Sequence, residues 1–460
     1  MNEMVLTRGS RVDAEVNDLA FQGRGVARID GLVVFVDGGL PGDRVRVEIT
    51  GRHRRFVESR VLEILEPSPD RVLPHCVHFG PCGGCRLQNL RYEKQLEFKA
   101  TQVKNHLQRI GGFEPPAGIA IIPCEPNYRY RNKMEFAFGR DSTHHLTLGL
   151  HPRDAYADIF DLRECHLPSP VFSHLVEVTR QHFSRTSDQP YDPVQHSGLL
   201  RFLVLREGVN TGQFLVNLVT AAGEVTDPVG WVAALREAAP NLTTVVRTVN
   251  ATWANVATGE VTDVWYGPGT FTERLADLEF VLGPLSFFQT NTRQAEKLFA
   301  KALEYAELSP VDRVLDVYSG AGAISLLVAR QANSVTGVEI VPEAVDAARE
   351  AAERNGIHNC EFVCADARRF LKTAVAEKNR FDVAITDPPR AGLHPKVVKR
   401  LVEMAPPRIV YVSCNPSTLA RDLGLFCAGR YRLADITAVD MFPHTAHIEA
   451  VALLRIVEEK

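Results

Sequence analysis

The sequence predicts a multidomain protein with a small N-terminal β-barrel, a central β-rich domain and a C-terminal Rossmann-like α/β domain. The chain has 460 residues, which is more than one hydrophobic core usually organises. Apolar and polar residues alternate along the first two regions, whereas strand-turn-helix units begin near residue 281. We therefore place the domains at residues 1–66, 67–280 and 281–460.

The N-terminal region, from residue 11 to about residue 65, carries an apolar side chain at every second position of several short runs. Val45, Val47 and Ile49 form one such run. Turn-rich pieces, FQGRG and VDGGLPGD, separate the runs. This pattern is typical of short antiparallel strands and predicts a small barrel, an architecture that often binds nucleic acid.

The central region begins with a segment rich in Pro, Gly and Cys, residues 67–86, which indicates a linker or a metal-organised loop. A helix over residues 91–111 is predicted next, and we expect it to pack on the catalytic domain. Its apolar residues recur three or four positions apart: Leu96, Ala100, Val103, Leu107 and Ile110. From about residue 123 to residue 280, short alternating strands return.

The composition indicates a soluble globular protein. Hydrophobic residues make up 45% and charged residues 23%, and no apolar run is long enough for a membrane span. The first ten residues lack the apolar core of a signal peptide, so we expect a cytoplasmic protein whose cysteines stay reduced. The net charge of -4 argues weakly against a nucleic-acid partner, although GRHRRFVESR at residues 51–60 is locally basic.

A glycine-rich turn follows the first strand of the predicted α/β domain, in VLDVYSGAG at residues 314–322. Gly320 and Gly322 allow a ligand to approach the backbone closely. The next two strands lead to Glu339, which can accept ribose hydroxyls, and to Asp366, which can accept an adenine amino group. A nucleotide-phosphate site is the rival, but the P-loop Lys-Ser/Thr pair is absent. The pattern resembles class I S-adenosylmethionine-dependent methyltransferases.

Two further motifs follow later strands of the same domain. TDPPR at residues 386–390 resembles the motif of methyltransferases that act on planar nitrogen or base substrates, and it offers Asp387 to the site. In YVSCNP, Cys414 follows an apolar strand and precedes a helix, whose amides can lower the pKa of a thiol. This placement favours a nucleophilic cysteine over a core residue.

The chemistry of uracil links Cys414 to an acidic residue near the end of the chain. Carbon 5 of uracil is a poor nucleophile, and addition of a thiolate to carbon 6 gives it the electron density to accept a methyl group. A base must then remove the hydrogen on carbon 5. Glu449, in HTAHIEAVALL, is a carboxylate within an apolar strand, where its pKa rises into a useful range. The alternative is an outward-facing Glu on an edge strand.

Taken together, these motifs resemble the RNA uracil-5-methyltransferase family, particularly its bacterial 23S ribosomal RNA branch with an N-terminal TRAM domain. The matching segments are FFQTN (287–291), VLDVYSGAG (314–322), TDPPRAG (386–392), SCNPSTLARDL (413–423) and HTAHIE (444–449). The resemblance implies that Cys414 is the nucleophile and Glu449 the base. It also implies cofactor contacts from Gln289, Tyr318, Glu339 and Asp387, with Asp366 near the adenine. Ala323 stands where the family often has Asn or Thr.

A cluster of cysteines lies in the central region. Cys76, Cys82 and Cys85 form the pattern C-x5-C-G-G-C, and Cys165 is a fourth candidate. Clustered cysteines predict a metal site, and zinc is the generic expectation. The resemblance instead implies a [4Fe-4S] cluster held by these four residues. We expect the cluster to shape the RNA-binding region and not to do redox chemistry.

The expected partner is structured RNA, and the resemblance implies 23S ribosomal RNA. The protein is expected to be a monomer. A loop or bulge is favoured because the target base must leave its stack.

Transfer RNA is an alternative substrate. Cytosine-5 methyltransferases usually carry separate Thr-Cys and Pro-Cys motifs, and radical methylthiotransferases need C-x3-C-x2-C, which is absent. A ribosome-assembly factor that binds RNA without catalysis is the non-enzymatic alternative.

Overall fold

The structure is a computed structural model that describes residues 6–20, 22–115, 118–153, 155 and 158–457. The chain divides into two compact units. The first contains residues up to Gln102 together with Phe442–His447, and the second contains Val103–Met441 and the residues from Ile448 onward. The domain boundaries at residues 66 and 280 stay a prediction. Among the described helices, none has both the length and the apolar composition needed to cross a membrane.

A closed barrel begins the first unit, as the sequence predicts. Its strands are β1 (Arg11–Leu19), β2 (Gly25–Ile29), β3 (Leu32–Asp37), β4 (Arg44–Arg52) and β5 (Phe56–Glu66). They are hydrogen-bonded in the order β1-β2-β3-β5-β4. Val16, Val34, Val45 and Val47 are among the alternate side chains that fill its core.

One strand pairing differs from the predicted antiparallel pattern. Strands β3 and β5 are parallel, with Val34 opposite Val57, whereas the other neighbouring strands of the barrel are antiparallel. A closed ring of five strands cannot reverse direction at every step. At least one parallel pair is therefore required, and the sequence pattern does not reveal which strands form it.

Helix α1 (Tyr92–His106) buries polar side chains that its apolar spacing does not single out. Gln95 and Lys99 are fully buried. The side-chain amide of Gln95 donates to the carbonyl of Leu90 at 2.8 Å, and the Lys99 ammonium donates to the carbonyl of Phe442 at 3.0 Å. Burial of these groups is tolerated because each has a hydrogen-bond acceptor.

The second unit includes the turn that ends the predicted helix. A π-helical turn, Leu107–Gly111, stops at Gly112, which has a left-handed φ of 75°. Val103 and Leu107 are buried in the core of the α/β part of this unit. A short strand, β6 (Ala120–Ile122), follows.

The middle of the second unit is rich in β-structure, as predicted. A seven-stranded sheet has the order β13-β12-β11-β10-β7-β8-β9. Its strands are β7 (Lys133–Arg140), β8 (Leu146–Leu150), β9 (Phe160–Asp161), β10 (Leu200–Glu207), β11 (Phe214–Thr220), β12 (Leu242–Val249) and β13 (Glu260–Tyr266). Helices α2 (Pro170–Phe183) and α3 (Pro228–Ala238) accompany it, and a hairpin of β14 (Phe271–Leu275) and β15 (Leu278–Leu282) follows.

The C-terminal part of the second unit is a doubly wound α/β structure, again as predicted. Its strands are β16 (Arg313–Val317), β17 (Ser334–Glu339), β18 (Cys360–Cys364), β19 (Val383–Thr386), β20 (Arg408–Ser413), β21 (Tyr431–Val439) and β22 (Glu449–Ile456). Its helices are α4 (Thr292–Ala306), α5 (Ala323–Ala329), α6 (Pro342–Arg354), α7 (Ala367–Ala376), α8 (Pro395–Met404) and α9 (Pro416–Cys427). The strand order is β18-β17-β16-β19-β20-β22-β21-β6, and the first five strands are parallel.

The last three strands complete this sheet in a way that the sequence shows only in part. Strand β22 is antiparallel to both β20 and β21, so the final pair of strands is present as predicted. Strand β6 then adds to the edge, parallel to β21, with Ile121 opposite Ala438. A strand of three residues is too short to show a period, which explains why the sequence did not predict this pairing.

Candidate active site

The turn after β16 lies at the edge where the parallel strands end. Tyr318, Gly320 and Gly322 have positive φ angles of 70°, 53° and 81°. The Cβ of a residue at position 320 would meet open space, so this glycine serves the backbone conformation. A Cβ at position 322 would lie 3.0 Å from the Cβ of Ala348, so this glycine also permits close packing. The turn thereby leaves room above its first glycine for a ligand.

A cavity of about 190 Å³ opens beside this turn, at the ends of β16, β17 and β18. It is lined by Tyr318, Val338, Ile340, Ala365, Asp366, Ala367, Arg368 and His394. Ile340 is 58% exposed although it is apolar, which provides a surface for a flat ring such as adenine. Two of the predicted cofactor residues, Tyr318 and Asp366, therefore line one cavity.

Glu339, the last residue of β17, connects two loops at this edge. One carboxylate oxygen accepts a hydrogen bond from the Gly320 amide at 3.1 Å. The other accepts from the amides of Ile340 and Val341 at 2.7 and 2.9 Å. The oxygen that faces Gly320 has a further lone pair, so Glu339 can hold the turn and also accept a hydroxyl group.

Asp366 has a structural role that competes with its predicted one. Its carboxylate caps α7, accepting from the amides of Arg368 and Arg369 at 2.9 and 3.3 Å. It also pairs with the Arg368 guanidinium at 2.7 Å, and this hydrogen bond, with the amides, lowers the pKa of Asp366 to about 2. Its contact with adenine stays a prediction.

Three buried polar atoms near the glycine-rich turn have no hydrogen-bond partner within the described part of the chain. They are Oδ1 of Asp316, Oγ of Ser319 and Oγ1 of Thr386. The other oxygen of Asp316 accepts from the Ser325 hydroxyl at 2.6 Å, and burial raises the pKa of Asp316 to about 6. Buried polar atoms usually have partners, so the Ser319 hydroxyl within the turn fits a polar ligand such as the amino acid end of S-adenosylmethionine. The sequence signal for Asp316 was an acid near the end of an apolar strand.

Asp387 and Gln289 approach the site from different segments. Asp387 follows β19 directly, and burial together with the carboxylate of Asp316 raises the pKa of Asp387 to about 7. Gln289 is half-buried in the loop before α4, where its main-chain carbonyl accepts from the side-chain amide of Asn132 at 2.9 Å. The structure therefore anchors the loop of Gln289 to the central sheet.

Cys414 and Glu449 lie on adjacent strands. Cys414 is the first residue after β20, and Glu449 is the first residue of β22. The two strands are antiparallel, and Ser413 pairs with Ala450, so Cys414 and Glu449 take the next facing positions. Cys414 is half-buried, whereas Glu449 is only 6% exposed. The predicted outward-facing alternative for Glu449 is therefore wrong.

The electrostatic environment of Cys414 differs from the sequence-based expectation. Burial, together with the carboxylates of Glu449 and Asp387, raises the pKa of Cys414 to about 11, although the charge of Arg390 and a backbone hydrogen bond oppose this. The expected lowering by the helix is wrong for this state of the protein. At the start of α9, Pro416 has no amide hydrogen and the next amide donates to the side chain of Asn415.

Comparison with protein-family models places two known modules on the chain. Residues 276–457 match the family described as tRNA (Uracil-5-)-methyltransferase. Residues 5–62 match the TRAM domain, which confirms the predicted identity of the barrel.

Comparison with individual proteins extends the match over almost the whole chain. An uncharacterized RNA methyltransferase of Nitratidesulfovibrio vulgaris is 40% identical over 452 residues, covering 97% of this chain and 96% of the relative. The chain belongs to the RNA uracil-5-methyltransferase family. A family relative from Caldanaerobacter subterraneus, also an uncharacterized RNA methyltransferase, is 38% identical over 446 residues. The match covers 97% of this chain and 98% of the relative.

A solved structure agrees with this family assignment. The crystal structure of Pyrococcus abyssi tRNA (uracil-54, C5)-methyltransferase, in complex with S-adenosyl-L-homocysteine, is 33% identical to the chain and has a TM-score of 0.78. The match covers 96% of this chain and 99% of the other. The chain is thus an RNA methyltransferase, and the family supports the predicted use of S-adenosylmethionine.

The structure does not show the predicted iron-sulfur site of this methyltransferase. Cys76, Cys82 and Cys85 belong to the first unit and Cys165 to the second. Among the described residues, no group of three or more His, Cys, Asp or Glu side chains is placed to hold a metal ion. The sulfur of Cys82 accepts from the Gly84 amide at 3.3 Å.

Proposed function

We propose that this enzyme methylates carbon 5 of a uridine in structured RNA through a covalent bond to Cys414, with Glu449 as the base. The observation that carries the proposal is the facing position of the two residues at the ends of β20 and β22. Asp387 follows the adjacent strand β19, and its charge reaches both residues. A nucleophile and a buried carboxylate thus lie at the ends of adjacent strands of the same sheet.

Each residue has a defined part in the chemistry. The thiolate of Cys414 adds to carbon 6 of uracil, and the electrons of the carbon 5–carbon 6 double bond move onto carbon 5 and the neighbouring carbonyl. S-adenosylmethionine, when bound, supplies the methyl group that carbon 5 takes. Glu449 then accepts the hydrogen of carbon 5 as a proton, the double bond re-forms and the thiolate of Cys414 leaves.

The burial of Glu449 suits the role of base. Burial and the carboxylate of Asp387 raise the pKa of Glu449 well above its ordinary value. A carboxylate with a raised pKa holds a proton more strongly, so it accepts one from carbon 5 more readily than an exposed carboxylate does. The strand that carries Glu449 is buried over most of its length, which keeps this carboxylate in a fixed position.

We assign the cofactor to the cavity beside the glycine-rich turn. Glu339 would accept the ribose hydroxyls, Tyr318 would line the pocket and Asp366 would lie near the adenine. Gln289 and Asp387 would contact the part of the cofactor closest to the reacting carbon. The Ser319 hydroxyl, which has no partner within the described part of the chain, supports this assignment because a bound amino acid group would satisfy it.

Substitution of Cys414 tests the mechanism. We expect Cys414→Ala to abolish methyl transfer to RNA while binding of S-adenosylhomocysteine is retained. Cys427→Ala is the matched control, because Cys427 is also half-buried and lies at the other end of α9. Methyl transfer by Cys414→Ala at the wild-type rate would overturn the mechanism, and a lack of transfer by the wild type would favour an RNA-binding assembly factor.

We propose 23S ribosomal RNA as the substrate, on the resemblance of the motifs to that branch of the family. Transfer RNA is the second candidate, because the solved relative from Pyrococcus abyssi methylates uracil 54 of tRNA. Mass spectrometry of RNA from cells that lack the gene distinguishes the two. Loss of 5-methyluridine from 23S ribosomal RNA supports the proposal, whereas loss from transfer RNA alone refutes it.

We also propose that Cys76, Cys82, Cys85 and Cys165 hold a [4Fe-4S] cluster. Support comes from the spacing of the first three cysteines and the resemblance, and no catalytic step depends on the cluster. Anaerobic purification with iron analysis and visible absorbance tests it. About four iron atoms per chain are expected, and a colourless protein that contains zinc or no metal would refute it.

A further inference from the structure

An exposed aromatic pair stands on the central sheet, away from the glycine-rich turn. Trp253 lies in the loop between β12 and β13 and is 76% exposed. Its ring stacks on that of His196, with ring centroids 5.0 Å apart and an interplanar angle of 17°. The hydroxyl of Tyr191 lies 3.2 Å from Nδ1 of His196, which fixes the lower ring. One face of the Trp253 indole is thus supported while much of its surface remains open to solvent.

The loop that carries Trp253 is held on both sides of this residue. The guanidinium of Arg201 donates to the carbonyls of Thr252 and Ala254 at 2.6 and 2.8 Å. The side-chain amide of Asn250 also donates to the carbonyl of Ala254, at 3.1 Å. These bonds order the loop, so little conformational entropy would be lost when a ligand binds the tryptophan.

The buried guanidinium of Arg201 places a positive charge next to the Trp253 loop. Its side chain is buried over the ring of Tyr191 at 3.7 Å, and within the described part of the chain it forms no ion pair with a carboxylate. Residues 250–259 contain no acidic side chain. Asp192, in the loop that carries His196, accepts from the amides of Val194 and Gln195. The exposed Trp253 ring and the Arg201 cation, which pairs with no carboxylate in the described part of the chain, are complementary to a nucleotide, which has a flat base and an anionic phosphate.

The pair lies at the end of β10 that is away from the loop of Gln289. Arg201 and Arg206 lie near opposite ends of β10, and Arg206 donates to the carbonyls of Gly283 and Ser286, just before the loop of Gln289. Five steps along a strand correspond to about 17 Å. A nucleotide bound at Trp253 would therefore contact the enzyme well away from the loop of Gln289.

We propose that the Trp253–His196 pair is a second RNA-binding site, on which an unpaired base of the substrate stacks while Arg201 attracts its phosphate. The proposal rests on RNA being the substrate and not on the mechanism of Cys414. Such a contact would favour RNA that has an unpaired base at a set distance from the target uridine, and so would contribute to substrate selection.

Two substitutions at one position test the stacking. Base stacking on an aromatic side chain is worth about 1–3 kcal/mol, so Trp253→Leu should raise KM for the full-length RNA roughly 5- to 150-fold. Trp253→Phe keeps a planar ring and should retain most of the affinity. Both variants should keep the wild-type kcat and the wild-type affinity for S-adenosylhomocysteine. An unchanged KM in Trp253→Leu, or equal losses in both variants, would overturn the proposal.

Fluorescence gives an independent readout. The chain has three tryptophans, and Trp231 is buried whereas Trp265 is half-buried. RNA should quench the emission of the wild type, and the quenching should be lost in Trp253→Phe. Quenching of the same size in both proteins would contradict base stacking and would leave a protein partner as the occupant of this surface.

Discussion

Cys414 and Glu449 occupy facing positions one residue beyond the Ser413–Ala450 pair of two antiparallel strands. Asp387, at the end of the adjacent strand, contributes a second carboxylate to the same place. A thiol between two carboxylates resists ionisation, because the thiolate would add a third negative charge. The protein without ligands therefore holds a protonated thiol, and positive charge brought by the ligands would favour the thiolate.

Removal of the base should interrupt the reaction after methyl transfer. In Glu449→Gln the charge is lost at nearly constant volume, so the proton on carbon 5 has no acceptor and turnover should fall about 10²- to 10⁴-fold. The covalent protein–RNA complex should accumulate and survive denaturing gel electrophoresis. Glu353→Gln, on the exposed face of α6, should turn over normally. A Glu449→Gln enzyme with no adduct and full turnover would show that another group is the base.

The reactivity of Cys414 should reflect the two carboxylates. Alkylation by iodoacetamide needs the thiolate, so for the protein without ligands the rate at Cys414 should increase with pH up to about 11. Asp387→Asn removes one negative charge and should lower this pKa, which increases the rate at pH 8. Mass spectrometry of the peptide that contains Cys414 measures the rate. A midpoint below pH 8.5 would contradict the described environment.

The buried base should reduce stability at neutral pH. The pKa of Glu449 is higher in the folded protein than the ordinary value of 4.5. At a pH between the pKa of the unfolded state and that of the folded state, the folded state therefore binds more protons than the unfolded state. Stability from this group is therefore lost as the pH rises through that window. Glu449→Gln should raise Tm at pH 8 by a few degrees, and the gain should shrink near pH 4. Calorimetry that shows a lower Tm at pH 8 would contradict the buried, unpaired position.

The carboxylate of Glu339 should bind the cofactor more strongly than an amide would. Glu339→Gln weakens hydrogen bonds to ribose hydroxyls, and a loss of about 1.4 kcal/mol corresponds to a tenfold higher Kd for S-adenosylhomocysteine. Titration calorimetry measures this change. Glu343→Gln, in the first turn of α6, is the matched control and should bind normally. Equal affinity in Glu339→Gln would place the cofactor elsewhere.

The sequence predicted the strand ends but not which of them face each other. Apolar runs placed Glu339, Asp387 and Cys414 at the ends of strands, and parallel strands bring such ends to one edge. The meeting of Cys414 with Glu449 depends on β22 lying between β20 and β21. That order is set by long-range packing, which a local pattern does not record.

Buried polar groups account for much of what the sequence did not predict. The sequence shows Asp316 only as an acid near the end of an apolar strand and does not single out Ser319 or Thr386. Only the fold shows that their oxygens are buried without partners in the described chain. The pKa of Cys414 was predicted in the wrong direction, because burial and the carboxylates of Glu449 and Asp387 raise it. The sequence does not show that these groups lie near the thiol.

The central claim is tested most directly by RNA that carries 5-fluorouridine at the target position. Fluorine on carbon 5 cannot leave as a proton does, so the reaction should stop with the RNA bound covalently to the enzyme after methyl transfer. Peptide mass spectrometry of the complex should locate a methylated fluorouridine on Cys414. A complex through another cysteine, or methylation of ordinary RNA with no complex on the fluorinated RNA, would contradict the account.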